Sequence, residues 1–85
     1  MLRETFRERE YSFTVLFEPA EEGGYVVYVP ALPGCMTQGE TFEEAEIMAK
    51  DAIEGYLETL KDLNEEIPTE SAKIIITKIP AEASR

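Results

Sequence analysis

The stretch 23–41, GGYVVYVPALPGCMTQGET, sets where this chain must turn. Gly23 and Gly24 can take the positive φ angles of a tight hairpin turn. Residues 25–29 are five consecutive β-branched or aromatic residues and predict a strand. Pro30 and Pro33 lack the N–H that a ladder needs, so Pro30 to Gly34 predicts a corner that ends it. A short third strand is predicted over 35–38; Gly39 breaks it and Thr41 opens a helix.

The flanks extend this pattern. Tyr11, Phe13, Val15 and Phe17 alternate with Ser12, Thr14 and Leu16, predicting a first strand over 11–17 and a hairpin loop over 18–24. Thr41 and Glu44 form a T-x-x-E capping box, in which each side chain meets a backbone N–H at the other's position. Phe42, Ala45, Met48, Ala49, Ala52, Ile53, Tyr56, Leu57, Leu60 and Leu63 then follow helical spacing in one stripe. Asn64 suits the C-terminal cap, and Pro68 rules out continuation. Gly55 lies mid-helix, where close approach of a neighbour would explain it. Residues 72–79, AKIIITKI, predict a fourth strand.

The predicted order is β-β-β-α-β, an α+β fold. Three strands form an antiparallel meander, and a right-handed crossover returns the fourth parallel to the first, in the order 3-2-1-4. Residues 1–10 form a lead-in with three Arg against three Glu, 11–79 the domain, and 80–85 a short tail. Strand two is apolar on both faces, and one helix covers only one face of the sheet. The uncovered face predicts a homodimer or higher oligomer.

With 85 residues there is room for one domain, which is marginal without support. Cys35 is the only cysteine and there is no histidine. An intrachain disulfide is therefore impossible, and the commonest metal ligand and general base are missing. No apolar run reaches the length of a membrane span, which predicts a cytoplasmic protein.

The net charge is −10, and residues 40–70 hold eleven acids against two bases. Such a field repels nucleic acid and steers basic partners inward. The strongest candidate contact surface is the helix face carrying Glu43, Ile47, Asp51, Glu54, Glu58 and Asp62. On it Glu54, Glu58 and Asp62 repel one another at four-residue spacing, and only Glu46 to Lys50 is well placed to form a supporting pair.

Chemistry finds little to work with. The predicted strands one and four contain no internal carboxylate, so a two-metal nuclease site has no convergent ligands. Cys35 has no histidine to generate its thiolate and reads as a small core residue. The P-x-x-P spacing of Pro30 and Pro33 reads as a rigid corner rather than a docking motif. No cofactor is implied, and the chain reads as a non-enzyme.

Three runs carry a family resemblance: GGYVVYVPALPGC over 23–35, QGETFEEA over 38–45, and AKDAI over 49–53. Together they resemble the HicB-type antitoxin domain, in its small stand-alone form, over about residues 11–79. The resemblance implies a partial RNase H-like βββαβ fold and a HicA-type ribonuclease toxin as partner, neutralised by protein–protein occlusion. It implies no catalysis by the antitoxin domain. Many members add a C-terminal DNA-binding module, whereas here only residues 80–85 follow Ile79, so direct DNA binding is not expected. The alternative is a HicB-like structural or regulatory oligomer without a toxin, binding another protein or a small ligand. Gly23, Gly24, Pro30, Pro33, Gly34, Gly39, Thr41 and Glu44 are the expected corner and cap residues.

Overall fold

The computed structural model describes residues 11–70 and 74–84. Three strands, β1 (Leu16–Pro19), β2 (Tyr25–Tyr28) and β3 (Met36–Gly39), precede one helix, α1 (Phe42–Asp62). The strands form an antiparallel sheet in the order β1-β2-β3. This α+β meander with a helix on one face is the predicted architecture as far as α1.

The hairpin turn closes through Gly23 N–H to Ala20 O and Ala20 N–H to Gly24 O, both at 3.0 Å. Gly23 and Gly24 have φ of 105° and 79°, in the left-handed region that favours glycine. This turn sets the register, placing Leu16 opposite Tyr28 and Pro19 opposite Tyr25. The first strand is therefore shifted from the predicted 11–17. Glu18 and Pro19, expected in the loop, belong to it, and residues 11–15 lie beyond its last pair with β2. Proline is tolerated because β1 is an edge strand.

The corner is a hydrogen-bonded loop. Leu32 N–H donates to Val29 O at 3.0 Å, Cys35 N–H to Leu32 O at 2.9 Å, and Val29 N–H to Cys35 O at 3.1 Å. Gly34 adopts φ 81°. The loop turns Leu32 fully inward, where it packs with Val29 and Cys35 against Ala52, Ile53, Tyr56 and Leu57. A second cluster joins Val27 to Ala45 and Ala49, with Val15, Phe17 and Tyr25 around it.

Gly39 ends β3 rather than merely breaking it. A β-carbon there would lie 2.5 Å from Ala45 N and 2.6 Å from Ala45 Cα, so only glycine lets the helix start this close to the sheet. At Gly55, by contrast, a β-carbon would meet nothing within 4 Å, so the expected close approach is not there.

Thr41 caps α1, its Oγ1 accepting from Glu44 N–H at 3.1 Å. The Glu44 carboxylate reaches one residue further than a capping box requires and accepts from Glu40 N–H at 2.7 Å. At the other end Leu63 is the C-cap and Asn64 takes φ 62°. Asn64 N–H to Lys61 O and Glu65 N–H to Leu60 O complete a Schellman motif. The apolar stripe is wider than the sheet beneath it: Phe42, Met48 and Leu63 are 41%, 37% and 62% exposed.

The chain then returns to the β1 side. The Glu70 carboxylate accepts from Thr14 N–H at 2.6 Å and Thr14 Oγ1 at 2.9 Å. Residues 74–79 form no strand, and Ile75, Ile76 and Ile79 are 83%, 69% and 80% exposed. Residues 72 and 73 of the expected fourth strand, and the expected lead-in 1–10, lie outside the described residues.

Candidate functional site

Helical geometry gathers the candidate contact face. At ~100° per residue, Glu43, Ile47, Asp51, Glu54, Glu58 and Asp62 fall within an arc of about 100° on α1. The face runs roughly 28 Å along the axis at ~1.5 Å per residue. All six side chains are exposed, and Ile47, near the centre of the arc, is 67% exposed. The structure thus brings the six predicted residues together as one ridge pointing away from the sheet.

The expected Glu46–Lys50 support is replaced by Lys50 Nζ to Glu54 Oε2 at 3.3 Å. Glu46 instead lines a groove. With its side chains 76% and 64% exposed, the Lys50–Glu54 pair is worth little, since solvent screens it. It moderates the repulsion at one end of the Glu54, Glu58, Asp62 row and leaves the rest of the ridge acidic.

A second surface is the sheet face opposite α1. Leu16, Tyr28 and Met36 lie in one cross-strand row, and Glu18, Val26 and Gln38 in the next. No described element covers it; Leu16, Val26 and Tyr28 are half-buried, and Met36 is 55% exposed. The Tyr28 hydroxyl donates to Glu18 Oε1 at 3.2 Å. That bond, then desolvation and the carboxylate's charge, push the Tyr28 phenol above its ordinary value. Sequence reading missed this pair because it left Glu18 in the loop; a cross-strand signal required the register.

A third feature is an apolar groove of about 310 Å³ between β1 and α1. Val15, Phe17, Ala49 and Ile53 line it, with Glu46 and Lys50 beside them. It too escaped the sequence, since it depends on how far the helix overhangs the sheet edge.

The corner residues Pro30, Pro33 and Gly34 are exposed, but their loop is anchored by buried Leu32 and by Tyr56 Oη donating to Pro33 O at 2.8 Å. Their role is structural. Cys35 is 6% exposed, and burial pushes its thiol up, away from the thiolate a nucleophile needs. Among the described residues no group of three or more His, Cys, Asp or Glu could hold a metal ion, and no buried polar side chain is present. Among them, too, no helix is long and apolar enough to cross a membrane.

A family profile described as "HicB_like antitoxin of bacterial toxin-antitoxin system" aligns with residues 13–82. The chain belongs to the HicB-like antitoxin family. Among its relatives, a UPF0150 protein of Thermoplasma acidophilum is 54% identical over 63 residues, covering 74% of this chain and 91% of that one. A UPF0150 protein of Synechocystis is 45% identical over 60 residues, covering 71% and 76%. Antitoxin HicB 1 of Photorhabdus laumondii is 48% identical over 56 residues, which cover 66% of this chain but 36% of that protein. Membership in the HicB-like family points to an antitoxin role, a toxin partner and a non-enzymatic way of working.

Proposed function

We propose that the chain neutralises a small basic ribonuclease toxin of the HicA type by occlusion, without chemistry of its own. The observation that carries this reading is the exposed acidic ridge of Glu43, Asp51, Glu54, Glu58 and Asp62 around Ile47. On a ribonuclease, a basic patch serves RNA phosphates. Carboxylates spaced along a rigid helix satisfy the same patch, and Ile47 supplies an apolar anchor in their midst. Association by this route is fast, selective for basic partners and screened by salt. The encounter takes place in the cytoplasm, where the ribonuclease meets its RNA.

The partial RNase H-like sheet is part of the same reading, with the isoleucine-rich residues 74–79, which form no strand within the single chain, supplying the fourth strand beside β1 once a second copy is present. A homo-oligomer is supported by the uncovered Leu16, Tyr28, Met36 row. That row also favours a second reading, a regulatory oligomer without a toxin. Whether the neighbouring reading frame encodes a small, basic, histidine-containing protein separates the two.

The test is co-expression with that neighbour. Growth rescue together with co-purification is the expected result. Continued toxicity with no complex, while the chain is folded and in excess, would reject the antitoxin reading.

A further inference from the structure

Two strand-like segments lack a ladder partner among the described residues. Residues 11–15 continue β1 past the Leu16–Tyr28 pair, because β2 leaves the sheet at Val29 and Pro30. Phe13 and Val15 still pack on the core, so the segment is held in place beside the sheet. At Thr14 the main-chain N–H goes to a side-chain carboxylate, Glu70, where a sheet would offer a carbonyl. Residues 74–79, IIITKI, are the converse case. They are rich in the β-branched residues that strands favour, yet Ile75, Ile76 and Ile79 stand in solvent.

The groove supplies the missing layer. It lies between β1 and α1, lined by Val15, Phe17, Ala49 and Ile53. A further strand along the outer edge of β1 would send alternate side chains into that space. Residues 74–79 carry isoleucine on both alternating faces, Ile74 and Ile76 on one and Ile75 and Ile79 on the other. Either face can therefore enter the groove.

The chain's own segment does not fill it. Glu70 already touches Thr14 on this side of the sheet, and a few residues later the segment is exposed. We propose that residues 74–79 add as a strand to the outer edge of β1 in a second copy, and that the exchange is reciprocal. Lys78 is the one charge in the segment, and it would meet a body whose residues 40–70 hold eleven acids against two bases. Reciprocal exchange satisfies a two-fold dimer in which each copy donates a strand and receives one. It also removes an open edge that invites uncontrolled pairing. This inference concerns self-assembly and stands apart from the antitoxin reading.

The test mixes unlabelled and nitrogen-15-labelled full chain, unfolds and refolds them together, and joins lysine to carboxylate with a carbodiimide. Mass spectrometry then reads which labels are joined. Links from Lys78 to Glu18 or Glu46, with mixed-label pairs the commonest class, are expected. Sedimentation equilibrium should give two copies for the native chain and one for Ile75→Asp/Ile76→Asp, with the helical circular dichroism signal retained. A monomeric native chain, Lys78 links that join only like labels, a dimer without such links, or a variant that stays dimeric would each overturn the proposal.

Discussion

The Tyr56 hydroxyl donates to the Pro33 carbonyl oxygen at 2.8 Å, tying the second half of the helix to the loop between β2 and β3. Beneath that bond lies Leu32, fully buried with Val29 and Cys35. The corner is thus held by one polar link at its rim and one apolar plug at its centre. Tyr56→Phe removes only the link and should cost about 0.5–1.5 kcal/mol. Leu32→Ala empties the plug and should cost about 2–5 kcal/mol. Urea unfolding of both variants checks the order; equal losses would mean that the plug is not what holds the loop.

Two glycines, Gly39 at the end of β3 and Gly55 in the middle of α1, should respond with opposite signs. Gly39→Ala forces a β-carbon to 2.5 Å from the Ala45 nitrogen, which is backbone and cannot step aside. The helix start must shift, at a cost of about 1–3 kcal/mol. Gly55→Ala places its β-carbon in open space within α1 and should stabilise by about 0.5–1 kcal/mol. Thermal unfolding midpoints should therefore fall for the first and rise for the second. A fall for Gly55→Ala would mean that its surroundings are closed.

The Tyr28 phenol is raised chiefly by its hydrogen bond to Glu18, then by desolvation and by the carboxylate's charge. Because the folded value lies above the unfolded one, the protonated phenol favours the fold. Its contribution is complete below the ordinary tyrosine pKa of about 10 and is lost as pH rises through the higher folded value. Glu18→Gln should bring the Tyr28 midpoint down toward the ordinary value, as followed by NMR of the ring carbons. An unmoved midpoint would contradict the assignment of cause.

Most of the strand order and both helix ends were legible because local chemistry dictates them. Gly23 and Gly24 marked the turn, Pro30 and Pro33 the corner, Thr41 the start of α1, and Asn64 its finish. Strand limits were not legible in the same way. Alternation over 11–17 reports which way side chains point, whereas a ladder needs a partner, and β2 stops at Tyr28. Pro19, expected in the hairpin loop, fits in β1 because its missing N–H is harmless on an outer edge. The acidic ridge followed directly from helical spacing. Lys50 choosing Glu54 over Glu46 did not, because the two choices differ by less than a surface pair is worth. The 74–79 segment reads as a strand from composition alone, but composition does not say whose sheet it joins.

Capture of a basic ribonuclease by the acidic helical ridge, as proposed, would be governed by charge. The measurement that decides it is the association rate with a small basic ribonuclease toxin of the proposed HicA type, for the native chain and for Glu54→Lys/Glu58→Lys, at ~0.1 M and ~1 M salt, where the Debye length falls from about 10 to about 3 Å. Native association should slow by about tenfold or more at high salt, and the variant should begin slow and change little. Equal rates for both chains at both salts would contradict it.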